Sequence, residues 1–372
     1  MNKRLIIIGA GPRGLGVALR AIREGIRPIV IDPQPLKTWT PPNILIDMNM
    51  RSPIGFDLVS FCPELKEFSL SFYLGSYNDI QQQREIEIQQ QPITRQTFLN
   101  YLNYVWSYIQ GEVDYIADSI ISVGKDYVIL KKEKLITDFI VLALGPISSL
   151  NMPQYARPFL MSDRLLNPKE LVTDVPIGKT IGVIGSGQSA AEYVDYLTPR
   201  NKVIWVINKE LRVDPYPVPS YRLWGEKTGL GDYYRRLQKT DKEYALRYLK
   251  QVRQWGPSIT KGVADSLESK GEVIKKVSNQ EVLKELGTID SLLLCTGFNP
   301  SIENIPLAFK VDRERSSINY PEIVSNFRIK EGIYFTGELA KYYDGPRQGS
   351  LISIGLTSKE IVEDILKRDK EE

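Results

Sequence analysis

The sequence predicts an α/β protein built from two strand–turn–helix–strand units. Two stretches carry this reading: "IIIGAGPRGLGVAL" at Ile6–Leu19 and "IGVIGSGQSAAEYVDYL" at Ile181–Leu197 each place a glycine cluster between an apolar run and a helix-spaced apolar face. A third observation is an echo, an apolar run that stops at glycine, at Gly145, Gly297 and Gly337. With 372 residues, 42% of them hydrophobic, the chain can bury two cores.

In the first unit, "RLIIIGAGPRGLGVALRAIREGIRPIVIDP" reads as strand, glycine turn, helix and strand, with Leu15, Ala18, Leu19 and Ile22 on one helix face. Gly9, Gly11 and Gly14 form the G-x-G-x-x-G fingerprint of a Rossmann-like dinucleotide-binding unit. The first glycine permits the tight turn, the second lets the backbone approach a pyrophosphate, and the third lets helix and strand pack closely. The pyrophosphate would rest on the helix start at Pro12, Arg13 and Gly14, where free N–H groups and the helix dipole favour an anion. Asp32 ends the second strand, where a carboxylate accepts from an adenosine ribose hydroxyl.

Pro33 to Pro63 is rich in Pro and Asn and reads as a loop that reaches across a bound ligand. "NDIQQQREIEIQQQ" reads as a polar surface connection, and "TRQTFLNYLNYVWSYI" as an amphipathic helix with Thr94 as N-cap. "DFIVLALGP" (Asp138 to Pro146) is a buried strand that stops at Gly145, and Pro146 to Pro176 reads as a linker.

The second unit begins at Lys179. Its turn is Gly185, Ser186, Gly187, Gln188, Ser189 and Ala190, with Ala190 in the place of the third glycine, where a small side chain still permits close packing. The next strand, "KVIWVINKELR", ends in Asn208 and Lys209 rather than an acid, with Arg212 nearby. An acid there would repel a 2′-phosphate, whereas Lys209 and Arg212 would pair with one, which favours NADPH over NADH.

Arg212 to Trp255 then interrupts the strand–helix alternation, and Lys209 to Lys261 holds 12 Lys and Arg against 6 Asp and Glu. Two readings of this basic, aromatic stretch stand. It covers the substrate or clasps NADPH through Arg222, Trp224 and Lys227, or it is a pair of solvated helices whose Tyr233, Tyr244, Tyr248 and Trp255 pack on the body of the domain. "GTIDSLLLCTGFNP" and "GIYFTGELA" resume the buried-strand pattern before a final helix, Leu351 to Leu366.

Composition excludes several classes of function. A net charge of +3 with 25% charged residues is not the footprint of a nucleic-acid coat. Cys62 and Cys295 belong to no Cys-x-x-Cys pair, so they indicate neither a disulfide framework nor a local metal site; they read as small buried hydrophobes in a reducing, cytoplasmic setting. No stretch reaches membrane-spanning length, and "MNKRLIII" reads as a first strand rather than a leader. The chain has no histidine, which removes the commonest general base and most zinc chemistry and points to a bound cofactor as the source of reactivity.

Taken together, the N-terminal glycine triplet, "GSGQSAAE", "DSLLLCTGF" and the closing "GIYFTGE" resemble the flavoproteins with two dinucleotide-binding domains, and within them the flavin-containing monooxygenases and amino-acid N-hydroxylases. The resemblance covers most of the chain outside Arg212 to Ser269. It implies two Rossmann-like domains of the GR2 type, the second inserted in the first. Residues 1–165 plus 318–372 would bind FAD, and 176–317 would bind NAD(P)H and carry the helical insertion at about 212–269.

The resemblance also implies roles for single residues. "LIDMNMRSPIGFDLVSFCP" is similar to the stretch in which those monooxygenases set an asparagine beside the flavin, and that position is Asn49. Thr296, Gly297 and Phe298 would mark the strand ending near the interdomain hinge; Gly337 and Glu338 would contact the FAD pyrophosphate and ribityl; and the helix after "GPRQGS" would stabilise charge on reduced flavin. Met161 stands where those monooxygenases usually carry histidine, and Glu338 where they carry aspartate. The implied reaction is hydride transfer from NADPH to FAD, then oxygenation of a small molecule, such as an amine, through a flavin hydroperoxide. The alternative is a reductase that passes electrons to a protein or quinone acceptor on the same two domains.

Overall fold

The computed structural model describes residues 4–39, 45, 47–50, 52, 54–75, 93–145, 148–161, 164–166, 176–207, 211–214, 234–237, 240, 241, 243–245, 247, 258–270, 274–278, 281, 284, 286–313 and 320–371. The chain opens with β1 (Leu5–Ile8), helix α1 (Pro12–Arg23) and β2 (Ile29–Ile31), the strand–helix–strand order expected from the first fingerprint. Helix α2 (Arg95–Ile109) follows, with Thr94 as its N-cap: the Thr94 hydroxyl accepts from the Thr97 N–H at 3.1 Å. Then come β3 (Asp114–Ile116), an antiparallel meander of β4 (Ile120–Val123), β5 (Tyr127–Leu130) and β6 (Lys134–Ile136), and β7 (Phe139–Leu142).

After β8 (Ser148–Leu150), the second unit runs through β9 (Thr180–Ile184), α3 (Gln188–Leu197) and β10 (Lys202–Ile207). It continues with β11 (Arg212–Asp214), β12 (Ser258–Thr260), α4 (Lys261–Glu268), β13 (Ile274–Ser278) and β14 (Ser291–Leu294). The chain returns through β15 (Phe298–Pro300) to β16 (Ile323–Ser325), β17 (Arg328–Ile329), β18 (Tyr334–Phe335) and the last helix, α5 (Ser353–Glu371).

Seven strands pair in the order β16-β17-β18-β7-β1-β2-β3, so the first sheet draws on both ends of the chain. Four form a second, parallel sheet, β13-β10-β9-β14. In each sheet the strand before the glycine turn is central, with its own βαβ partner on one side and a later strand on the other (β2 and β7 beside β1, β10 and β14 beside β9). That arrangement is a topological switch point, and nucleotides bind at the carboxyl ends of strands there.

Strands β1 and β9 are continuous apolar runs because both faces are covered. Leu5 and Ile7 face the core shared with α1, α2 and α5, while Ile6 and Ile8 face the meander and Tyr320, Phe335 and Tyr342. Val183 and Trp205 bury against α3 and α4, and Ile184 and Val206 against Ala156 and Phe159. Each such aliphatic side chain contributes roughly 1.5–3 kcal/mol by burial.

Two segments differ from their sequence reading. Part of the linker is body: Ala156 and Phe159 are buried on the second sheet because the sheet's outer apolar face has no helix of its own there. The insertion is also divided. Its end, β12 and α4, packs on α3 and completes the second unit, whereas Tyr234, Leu237 and Ala245 lie against the first unit. Tyr244 is 40% exposed rather than packed, and among the described residues of the insertion the buried aromatic is Tyr234. Tyr233, Tyr248, Trp255, Arg222, Trp224 and Lys227 lie outside the described residues.

Candidate active site

The two glycine turns are built alike. Gly9 donates to Ile31 O at 2.8 Å and Gly185 to Val206 O at 3.0 Å; Ala143 donates to Ile8 O and Cys295 to Ile184 O, both at 2.8 Å. Gly9 (φ +105°) and Gly185 (φ +143°) turn the chain under the next strand. A Cβ on Gly9 would lie 2.5 Å from Ala143 O, and one on Gly185 would collide with Cys295 O, so both positions require glycine. Gly14 is pressed onto Gly9 O, while Ala190, fully buried, fills the equivalent place in the second turn.

Gly11 is different: a Cβ there would meet nothing within 4 Å. The space faces the start of α1, whose N-cap Gly11 provides no side chain for the first-turn N–H groups and whose N1 is Pro12. At the end of β18, Thr336 has a buried hydroxyl with no partner among the described residues, and Gly337 (φ +77°), which follows, lies against the Arg13 side chain at the helix start. An open approach at Gly11, an uncapped helix start and an orphaned hydroxyl fit a dinucleotide pyrophosphate and its flanking polar atoms.

Asp32 accepts the Ala10 N–H at 2.7 Å and the Gln34 N–H at 2.8 Å, so it pins the turn and would reach a ribose only through its remaining lone pairs. The Arg13 side chain is committed to the C-terminal segment. It donates to Gln348 Oε1 (3.2 Å), to the Gln348 carbonyl, to Ser350 O (3.1 Å) and to Ser353 Oγ (3.1 Å). Burial lowers its pKa to about 10, against the opposing charges of Glu338 and Asp344. Glu338 itself pairs with Lys341 at 3.1 Å.

In the second turn, Ser186 is buried, Ser189 is exposed, and α3 begins at the uncapped Gly187. Gln188 is committed to protein contacts: its Oε1 accepts from the Thr260 N–H at 2.8 Å, and its Nε2 donates to Thr260 Oγ1 and Glu192 Oε1. The Trp205 indole N–H holds Gly185 O at 2.8 Å. Arg212 is exposed on β11, and Lys209 lies outside the described residues.

The loop bearing Asn49 joins the two units. Leu45 and Met48 pack into the core of the second sheet, Met50 into the core of the first, and Asn49 between them is exposed and bridges to Thr94. At the crossings between units, β8 and β15 pair antiparallel; Asn151 donates to Gly297 O at 3.0 Å, and the Thr296 hydroxyl donates to Asn151 O. Gly145 (φ +68°) and Gly297 (φ +76°) end corresponding strands of the two sheets.

The sequence reading missed Thr336, Trp205 and Gln348. An isolated Thr, Trp or Gln has no signature; only the repeated "strand ending in Gly" pointed toward Thr336 and Gly337. Both cysteines are free thiols; Cys62 is buried, as read, whereas Cys295 is only partly buried as a residue. Among the described residues, no group of acids and cysteines forms a metal site, and no helix is long and apolar enough to cross a membrane.

Two glycine turns at the switch points of two sheets, with the connecting strands β8 and β15 paired between them, are the architecture of a dinucleotide-binding oxidoreductase. The sequence model of the L-lysine 6-monooxygenase/L-ornithine 5-monooxygenase family matches residues 3–261, and the chain belongs to that family. It is an FAD- and NADPH-dependent monooxygenase. Comparison with curated protein sequences gave no match.

Solved structures share the fold over nearly the whole chain. The ornithine N-hydroxylase of Kutzneria sp. 744, with reduced FAD, NADP+ and L-ornithine, superposes with a TM-score of 0.76 at 17% identity, covering 99% of this chain and 100% of that one. The L-lysine 6-monooxygenase of Pseudomonas syringae gives 0.73 at 17% identity, covering 98% and 99%. The FAD-bound cadaverine monooxygenase of Erwinia amylovora gives 0.72 at 15% identity, covering 98% and 94%.

Proposed function

We propose that the chain hydroxylates the terminal primary amine of a small basic amino acid or diamine, with FAD on the first glycine turn and NADPH on the second. The amine class is supported by what the three structural relatives share: ornithine, lysine and cadaverine each end in a primary alkylamine. The balance is amine plus O2, NADPH and a proton giving hydroxylamine, water and NADP+.

The observation that carries the assignment is the loop of Leu45 to Met50, anchored in both cores with Asn49 exposed between them. FAD, when bound, supplies the hydride acceptor and the centre for oxygen chemistry. The chain's own groups hold and orient. The N–H groups after Gly11 and Gly187 receive the pyrophosphates, the Thr336 hydroxyl and Gly337 line the first site, and Glu338 stands at its edge. Asn49 offers an amide at the junction, where hydrogen bonding aligns the reacting edge. Lys209 and Arg212 pair with the 2′-phosphate, and Thr296, Gly297 and Gly145 set the hinge that brings the sites together. The two separate sheets support a division into 1–165 plus 318–372 for FAD and 176–317 for NAD(P)H, although Ala156 and Phe159 pack on the second sheet and Ile302, Ile305 and Val311 pack in the first unit's core.

The test is anaerobic mixing of the FAD-loaded protein with NADPH, followed by air and each of ornithine, lysine and cadaverine. Bleaching of the flavin and an N-hydroxylated product with at least one amine are expected. NADPH oxidation that yields only hydrogen peroxide with all three would overturn the amine assignment.

A further inference from the structure

A short helical stretch of the second unit's insertion is docked on the first unit's C-terminal segment. Tyr234 is fully buried and donates its hydroxyl to Tyr342 O at 2.9 Å; Ala245 joins it in the core with Ile329 and Phe335. Arg235, the next residue, is ion-paired to Asp344 through Nε and to Glu360 through Nη1 at 2.6 Å. Its guanidinium lies over the rings of Phe327 and Tyr343, 5.5 and 5.8 Å from their centroids.

Asp344 is fully buried, and its second oxygen accepts from Gln348 Nε2 at 2.6 Å. The same amide nitrogen donates to Thr357 Oγ1 at 2.8 Å, and the amide oxygen accepts from Arg13 Nη1 and from the Gly337 N–H, each at 3.2 Å. All four hydrogen-bonding positions of the Gln348 amide are therefore used, and its direction is fixed: nitrogen toward Asp344, oxygen toward the glycine turn. A rotated amide would face a buried carboxylate with an oxygen and Arg13 with a nitrogen. Both contacts are repulsive.

From this connectivity we propose that Arg235 is a positioning residue for the FAD site: by holding Asp344, it orients Gln348 and through it Arg13 and Gly337. The second unit's insertion thus completes the cofactor site of the first unit. Arg235 touches no cofactor. It acts by pairing with a buried carboxylate whose other oxygen sets the amide, so without it Asp344 loses that ion pair and draws Arg13 away from Gln348. The insertion would then serve FAD retention rather than substrate cover.

This inference rests on FAD occupying the first glycine turn, and the experiment separates the two. Apo-protein is titrated with FAD, followed by flavin fluorescence, and separately with NADP+, for wild type, Gly11→Ala, Arg235→Met, Arg235→Lys and the pair Arg235→Met/Asp344→Asn. Gly11→Ala reports the site itself: if it leaves FAD affinity unchanged, the placement of FAD is wrong. With that control weakened, Arg235→Met is expected to weaken FAD at least ten-fold and to leave NADP+ affinity within two-fold, while Arg235→Lys, which keeps a cation on Asp344, restores part of the loss.

The pair variant removes the stranded charge and addresses the case in which Arg235→Met does not fold. It is expected to melt close to wild type yet still bind FAD at least about three-fold more weakly, because the ion pair that holds the residue 344 side chain toward Gln348 is gone and only Arg13, the Gly337 N–H and Thr357 then hold the amide. FAD affinity within two-fold of wild type in the pair, or equal losses for FAD and NADP+, overturns the proposal.

Discussion

Arg95 and Glu192 tie the two units together: one guanidinium nitrogen of Arg95, at the start of α2, reaches both Glu192 oxygens, at 2.9 and 2.6 Å. Glu192 is only 2% exposed and sits on α3, just after the second glycine turn. The other arm of Arg95 donates to Leu45 O at 3.3 Å, and its backbone N–H donates to Met48 O at 2.9 Å. A single side chain therefore anchors the Asn49 loop and the helix after the second glycine turn at once.

Removing one partner of that pair strands a buried charge. Glu192→Ala and Arg95→Ala are each expected to cost about 3–5 kcal/mol of stability. The double variant should cost clearly less than the sum, because the second deletion removes the stranded group. Urea denaturation checks this; additive costs would show that the pair is not coupled.

The glycines of the first turn predict two distinct phenotypes. Gly14→Ala forces a Cβ onto Gly9 O and should lower the melting temperature of the apo-protein. Gly11→Ala meets no atom within 4 Å, so the apo-protein should melt as wild type while FAD binds at least about ten-fold more weakly, a loss of roughly 1.4 kcal/mol or more. Paired melts with and without FAD separate the two.

Arg212→Ala should raise the KM for NADPH about ten-fold, the worth of one charge-assisted hydrogen bond, and leave NADH nearly unchanged. Steady-state kinetics with both nucleotides measure it. Equal effects on the two would refute the phosphate role.

The thiols give a pH dependence. Burial, with the charge of Glu64, pushes the Cys62 thiol up from 9.0 to about 11, and burial, with the charge of Glu192, pushes Cys295 to about 12. The folded state therefore holds these protons more tightly than the unfolded state. Their contribution to stability is complete below about pH 9 and is lost as the pH rises through 11 to 12. The urea midpoint should fall between pH 8.5 and 10.5, and Cys62→Ala should flatten that fall. At pH 8 both thiols should react with iodoacetamide only on unfolding; fast labelling of native protein would refute the shifts.

Much of the fold was legible because backbone rules write directly into residue type. Only glycine can stand under Ala143 O at Gly9 or under Cys295 O at Gly185, and a strand covered on both faces must be apolar without alternation, as Leu5–Ile8 and Thr180–Ile184 are. The Thr94 cap was readable for the same reason: a local hydrogen bond needs a local residue.

Side-chain direction was not legible. Arg13 lies in the fingerprint, yet its guanidinium serves residues more than 300 positions away, and among the described residues of the insertion Tyr234 rather than Tyr244 is buried. Hydrogen bonds between distant segments leave no spacing to count, so neither the orientation of Gln348 nor the partner of Glu192 could be inferred from neighbours.

The sequence by itself determined that the chain folds as two glycine-turn units with a cofactor in place of histidine chemistry, because turns, caps and two-sided burial are short-range demands on residue type. Only the tertiary structure decided that Arg95 binds Glu192 across the junction and that the insertion lies against Asp344 and Gln348 on the other unit. Those contacts depend on where separate segments come to rest, and burial then makes their charges and amides accept only one set of partners.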